Sequence, residues 1–133
     1  IEEIEIQGMI GNATKVGDLL KSELETLMTR YPFIGDVRGM GLLLAFELVS
    51  DRQSMAPLPK ELNAFQRLVD IAYDNGLIIY SRRTRGGHNG DHFLVCPPMI
   101  ATAEDVGEIM ELLVSALDAF AAEADLPVHS NAA

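Results

Sequence analysis

The residues predict an α/β fold of the α+β type, a small, mainly antiparallel sheet covered on one face by helices. Three observations lead there. Apolar residues recur at three- and four-residue spacing in three separate segments, the period that gathers side chains along one side of a helix. Between these segments lie short apolar runs bounded by glycine or proline, which suit strands better than helices. The last two runs are joined by a polar, arginine-bearing stretch, so consecutive strands can return alongside each other.

Ile10, Ala13, Val16, Leu19, Leu20, Leu24 and Leu27 form the first stripe and predict a leading helix over 9–30. Gly17 inside it costs about 1 kcal/mol relative to alanine unless close packing requires it. Pro32 stops the pattern, because its ring cannot continue a helix. Leu42 to Val49 is apolar apart from Glu47 and predicts a buried strand, with Gly39 and Gly41 allowing a tight turn into it. Ser50 to Pro59 reads as a loop. From Lys60, the residues Leu62, Phe65, Leu68, Val69 and Ala72 mark a second helix, which Asn75-Gly76 ends in a left-handed conformation. Leu77 to Tyr80 predicts a short strand, Ser81 to Asn89 an exposed mobile loop, and Phe93 to Cys96 a last strand closed by Pro97-Pro98. Thr102 and Asp105 have the spacing of a capping pair, and Val106, Ile109, Met110, Leu113, Leu117 and Phe120 carry the final helix. The chain thus reads as one domain over 1–122, with a disordered tail over 123–133 that has no period.

A length of 133 residues with 48% hydrophobic content is enough for one packed core. Twenty acidic residues against ten basic ones give a net charge of -10, which repels nucleic acid phosphates and anionic membranes and excludes both as expected partners. A single cysteine, Cys96, cannot form an internal disulfide and fits a reducing cytoplasm. No run approaches the roughly 20 apolar residues needed to span a bilayer. Opening at Ile1 without an initiating methionine fits a cloned domain, a proteolytic product or a chain with residues before Ile1, and a natural start is the least expected of these.

The candidate chemistry lies between the last two strands. Arg82, Arg83 and Arg85 are three of the ten basic residues and fall within four positions beside Gly86 and Gly87. Guanidinium groups grip carboxylates in a bidentate fork, so this stretch suits capture of an amino-acid or keto-acid carboxylate. By composition alone the same residues read as a solvated surface turn. Arg38 beside the Gly39-Met40-Gly41 turn reads first as a structural ion pair and second as a substrate-side contact. That turn is no dinucleotide motif, since Leu44 stands at the third glycine position. His88 and His92 with Asp91 are too loosely spaced to make a metal site, and Cys96 reads as a packed small residue. Lys15, Lys21 and Lys60 all lie in or at the start of amphipathic helices among polar neighbours, unsuited to imine chemistry.

The stretch Gly35-Asp36-Val37-Arg38-Gly39-Met40-Gly41-Leu42-Leu43-Leu44, followed by Gly90-Asp91-His92-Phe93-Leu94-Val95-Cys96-Pro97-Pro98, resembles the C-terminal small domain of a class III, pyruvate-using aminotransferase. The resemblance covers about residues 10–120. It implies fold type I and a pyridoxal phosphate enzyme, with the cofactor bound by an upstream large domain, so no catalytic or cofactor-binding residue is expected here. It also implies a cytoplasmic homodimer acting on small-molecule amines and keto acids. In pyruvate-using members a mobile arginine sits just before the Gly-Asp that opens the last strand, and Arg82, Arg83 and Arg85 all precede Gly90-Asp91, with Arg83 the first choice. In members similar to ornithine aminotransferases the carboxylate arginine lies within the strand, where this chain has Leu94.

The implied function is transfer of an amino group between an amine or ω-amino acid and a keto acid such as pyruvate, with this domain closing the active site. Three other readings stand beside it. The chain could be a free-standing module binding carboxylate metabolites, a structural remnant with no ligand, or the small domain of a related aminomutase or decarboxylase.

Overall fold

A computed structural model describes residues 1–84 and 89–130. The elements in chain order are α1 (Glu2–Ile6), α2 (Met9–Arg30), β1 (Ile34–Met40), β2 (Leu43–Leu48), a 3-10 turn (Lys60–Leu62), α3 (Ala64–Asp74), β3 (Tyr80–Thr84), β4 (Asn89–Val95) and α4 (Ala103–Glu123). The four strands form one sheet in the order β1-β2-β4-β3, antiparallel at every pairing. The predicted fold class therefore holds. Among the described residues no helix is long and apolar enough to cross a membrane.

Period-two alternation gives the sheet two unlike faces. Leu44, Phe46, Leu48, Phe93 and Val95 turn to one side and are buried, with the Phe46 and Phe93 rings stacked at 5.1 Å. α2 and α3 rest on that side, and α4 packs against both helices. The opposite face carries Asp36, Arg38, Glu47, His92, Leu94 and Arg82 and, among the described residues, has no helix over it.

The leading helix keeps its predicted bounds, and Gly17 in it is explained by close packing. A Cβ there would stand 2.3 Å from the carbonyl carbon and oxygen of Gly41, so the helix touches the β1–β2 turn backbone to backbone. The final helix is started by a full capping box: Thr102 Oγ1 accepts the Asp105 N–H, while Asp105 accepts the Thr102 N–H at 2.7 Å. α3 ends in a left-handed Gly76, with the Leu77 N–H donating to Ala72 O, the six-to-one bond of a Schellman motif. Asn12 fixes the turn after Pro97-Pro98 by donating to the carbonyls of Met99 and Ala101.

Four expectations are corrected. β1 was not foreseen, because its run Ile-Gly-Asp-Val-Arg-Gly-Met has no apolar alternation; as an edge strand it is held by its ladder to β2. The second helix begins at Ala64 rather than Lys60, since Asn63 adopts a left-handed φ of 46° and separates the 3-10 turn from α3. The third strand runs over Tyr80–Thr84 rather than Leu77 to Tyr80, because β4 supplies ladder partners only from Tyr80 onward. The tail is tied down through His129: Leu126 packs on the core and donates to Ala121 O, and the His129 N–H donates to Arg30 O. Residues 131–133 lie outside the described residues.

Candidate functional site

The site centres on the β3–β4 hairpin. Arg82 and Arg83 were expected on a loop, and the structure puts both in β3, where Arg82 pairs with His92 and Arg83 with Asp91. An edge strand facing solvent on one side needs few apolar residues, so a polar Ser-Arg-Arg-Thr run forms a strand once β4 provides its ladder. Arg85 and His88 lie outside the described residues.

Alternation sends the two neighbouring arginines to opposite faces. Arg83 turns toward the helices. Its Nε donates to Asp91 Oδ1 at 3.1 Å, and its guanidinium carbon lies 4.4 Å from the centroid of the Phe65 ring. Asp91, the buried charged residue of the core, also accepts the Phe65 N–H at 3.1 Å, one of the donors that the start of α3 leaves without an intrahelical partner. One carboxylate thus ties β3, β4 and α3 together. Gly90 beside it is required by close approach, since a Cβ there would meet Leu48 O at 2.5 Å.

Arg82 turns to the open face and is exposed. The register aligns it in a row across all four strands: Asp36, Glu47, His92, Arg82. Arg38 lies one row away and bridges the acidic end, with Nη1 donating to Asp36 and to Glu47, both at 2.7 Å. Burial works against the Arg38 charge, but the hydrogen bonds to Asp36 and Glu47 outweigh it and hold the guanidinium above its ordinary value. This is the structural ion pair that the sequence favoured for Arg38. A carboxylate arriving on the open face meets Arg82 as a donor outside that pre-formed pair.

Other candidates separate cleanly. Among the described residues no three His, Cys, Asp or Glu side chains are placed to hold a metal ion. Cys96, expected to be packed, is exposed just past the end of β4. Sequence reasoning missed the Asp91–Phe65 contact and the Glu47 partner of Arg38. The signals were an acid directly after a glycine at a strand start and a lone charge inside an apolar run. It also missed Arg52, whose guanidinium donates to the carbonyls of Met28, Tyr31 and Ile34 where α2 passes into β1.

The model of the family described as "Aminotransferase class-III" matches residues 1–117. The taurine–pyruvate aminotransferase of Bilophila wadsworthia is 37% identical over 111 residues, which cover 83% of this chain and 24% of that enzyme. The omega transaminase of Pseudomonas jessenii in complex with PMP superposes with a TM-score of 0.80 at 30% identity, over 93% of this chain and 26% of that one. An amine transaminase from an uncultivated Pseudomonas species, in its PLP-bound internal aldimine form, superposes with a TM-score of 0.76 at 31% identity, over 89% and 25%. The chain therefore spans about a quarter of the length of the relatives it matches.

An internal aldimine requires a desolvated lysine. Lys15 and Lys60 are exposed, and Lys21 is half-buried on the side of α2. Matched by the family over residues 1–117 and sharing its fold with both transaminases, the chain belongs to the class III aminotransferases, a family of pyridoxal phosphate enzymes.

Proposed function

We propose that this chain is the C-terminal small domain, over 1–122, of a cytoplasmic, homodimeric aminotransferase. The enzyme moves an amino group between an amine or ω-amino acid and a keto acid such as pyruvate. The large domain carries the cofactor, and this domain closes the active site and offers an arginine, among Arg82, Arg83 and Arg85, to the substrate carboxylate. The observation that carries the reading is the arginine-bearing β3–β4 hairpin in a chain 37% identical to a taurine–pyruvate aminotransferase. Geometry favours Arg82 over Arg83. Arg82 is exposed on the open face, while Arg83 is already paired with Asp91 and stacked on Phe65. A cation on a hairpin that reaches over the site can meet a keto-acid carboxylate and leave room for an uncharged amine, avoiding an unpaired buried charge.

The test is steady-state kinetics on the full-length enzyme with pyruvate as acceptor and Arg82→Ala, Arg83→Ala and Arg85→Ala as variants. At least one variant, Arg82→Ala foremost, raises KM for pyruvate about tenfold or more while KM for an uncharged amine donor stays within twofold, as loss of a charge-assisted hydrogen bond predicts. Unchanged pyruvate KM in all three would overturn the carboxylate role, and absence of transamination in the parent enzyme would overturn the whole reading.

A further inference from the structure

β3 stands at the edge of the sheet, with β4 as its one ladder partner among the described residues. None of its described side chains is buried: Tyr80 and Arg82 are exposed, and Ser81 and Arg83 are half-buried. Register is weakly specified in a strand that has no apolar face to bury. On this strand a slip matters, because a shift of one residue turns Arg82 toward the helices and Arg83 toward the open face.

Two features pin the register, and they are neighbours in β4. The ladder pairs Arg82 with His92 and Arg83 with Asp91, then passes over Gly90 and sets Thr84 opposite Asn89. Gly90 is thus the extra residue of a bulge, a device that fixes where pairing shifts and how a strand is aimed. The second feature is the Asp91 carboxylate. Oδ1 accepts from Arg83 Nε and Oδ2 from the Phe65 N–H, both at 3.1 Å, while the Phe65 ring lies against the guanidinium. Phe65 belongs to α3, whose Ala64, Leu68 and Ala72 are buried in the core, so this side-chain lock holds β3 relative to the core as well as to β4.

We propose that Asp91 is a positioning residue for substrate binding: by keeping Arg83 on the helix side it sets the register of β3, and so presents Arg82 on the open face to the keto-acid carboxylate. Asp91 touches no substrate in this role, which rests on the reading of the hairpin as the carboxylate-binding element. Precise placement is worth much here, since a misplacement of about 1 Å can cost on the order of 100-fold in rate.

The test uses Asp91→Asn in the full-length enzyme, a variant that still offers one oxygen to the Phe65 N–H. Pyruvate is compared with acetaldehyde, which is pyruvate with a hydrogen in place of the carboxylate and so has no use for the arginine. KM for pyruvate is expected to rise about fivefold or more, while kcat with pyruvate and kcat/KM for acetaldehyde stay within about twofold. Equal losses with both acceptors mark a merely structural residue and overturn the proposal, as does an unchanged pyruvate KM. Where Asp91→Asn yields no folded protein, Phe65→Leu keeps the backbone donor and removes the ring; pyruvate KM should then rise about threefold with acetaldehyde spared, and any other pattern overturns the role. In an Arg82→Ala background Asp91→Asn should add less than about twofold, because its target is gone, and a further fivefold rise would show that it does not act through Arg82. The arginine variants keep the two readings apart. If Arg83→Ala or Arg85→Ala alone raises pyruvate KM, or if Arg82→Ala raises it and Asp91→Asn does not, the positioning role fails and the hairpin reading survives. If none of the three arginine variants raises it, the hairpin reading fails and takes this role with it.

Discussion

Removing the Asp91 carboxylate by Asp91→Ala should destabilise the domain by about 2 to 4 kcal/mol, far above the effect of a surface substitution. Two losses add. The Phe65 N–H at the start of α3 loses its acceptor, and a buried backbone donor left unpaired costs about 1 to 3 kcal/mol. Arg83 loses its counter-charge, for which breaking a fully buried pair costs about 3 to 5 kcal/mol. That second figure must be cut, because the Arg83 side chain is 23% exposed and can turn toward water. Asp91→Asn separates the contributions: its carbonyl oxygen still accepts from Phe65, so it should cost about 1 kcal/mol. The assay is urea unfolding followed by far-ultraviolet circular dichroism, since the chain has no tryptophan, with the midpoint shifted and the m-value unchanged. An Arg83→Met, Asp91→Ala cycle should show coupling above about 0.5 kcal/mol. An Asp91→Ala cost below about 0.5 kcal/mol, or strict additivity in the cycle, would refute the account of Asp91 as the tie between hairpin and helix.

Two further outcomes follow from the packing and the helix cap. Gly17→Ala gains about 1 kcal/mol of helix propensity, yet its Cβ would stand 2.3 Å from Gly41 backbone atoms that a φ of 54° holds in place; the net result is a loss of about 1 to 2 kcal/mol in urea unfolding, and a neutral or stabilising outcome would contradict the close contact. The Asp105 carboxyl is held below the usual carboxylate range, first by the Thr102 N–H and then by its hydroxyl. Its stabilisation is therefore present above about pH 4 and is lost as acid protonates it, so Asp105→Asn should flatten the fall in stability with decreasing pH below about pH 4, and an unchanged slope would count against the cap.

The legible parts of the fold were those in which a local period and a local stop coincide. α2 keeps the bounds 9–30 because an apolar period, of which Val16, Leu20, Leu24 and Leu27 are buried while Ile10 and Leu19 stay exposed, is followed by Pro32, and α4 starts where Thr102 and Asp105 cap it. The illegible parts depend on partners distant in the chain. Ile34–Met40 is a strand only because Leu43–Leu48 folds back on it, and its glycines, Asp36 and Arg38 conceal that in one dimension. Leu77 and Ile79 look like strand residues and are buried, but no ladder partner stands opposite them. Leu126, one apolar residue in a polar tail, gave no period to read, although it packs on the core.

The site shows the same division with more consequence. Adjacent arginines on a mobile loop would be interchangeable, and sequence proximity to the preceding strand would be a fair reason to rank Arg83 first. On a strand they are not interchangeable, because each step reverses the side-chain direction. Arg83 is directed to Asp91 and the Phe65 ring, where leaving would strand a buried carboxylate, whereas Arg82 is directed outward beside His92 and has no comparable ion pair or ring contact among the described residues. A substrate carboxylate would have to outcompete Asp91 for Arg83 but not for Arg82. Within the cluster that composition treats as one positive patch, the pleat therefore separates the two described arginines: Arg83 is held by Asp91 and the Phe65 ring, and Arg82 is exposed on the open face.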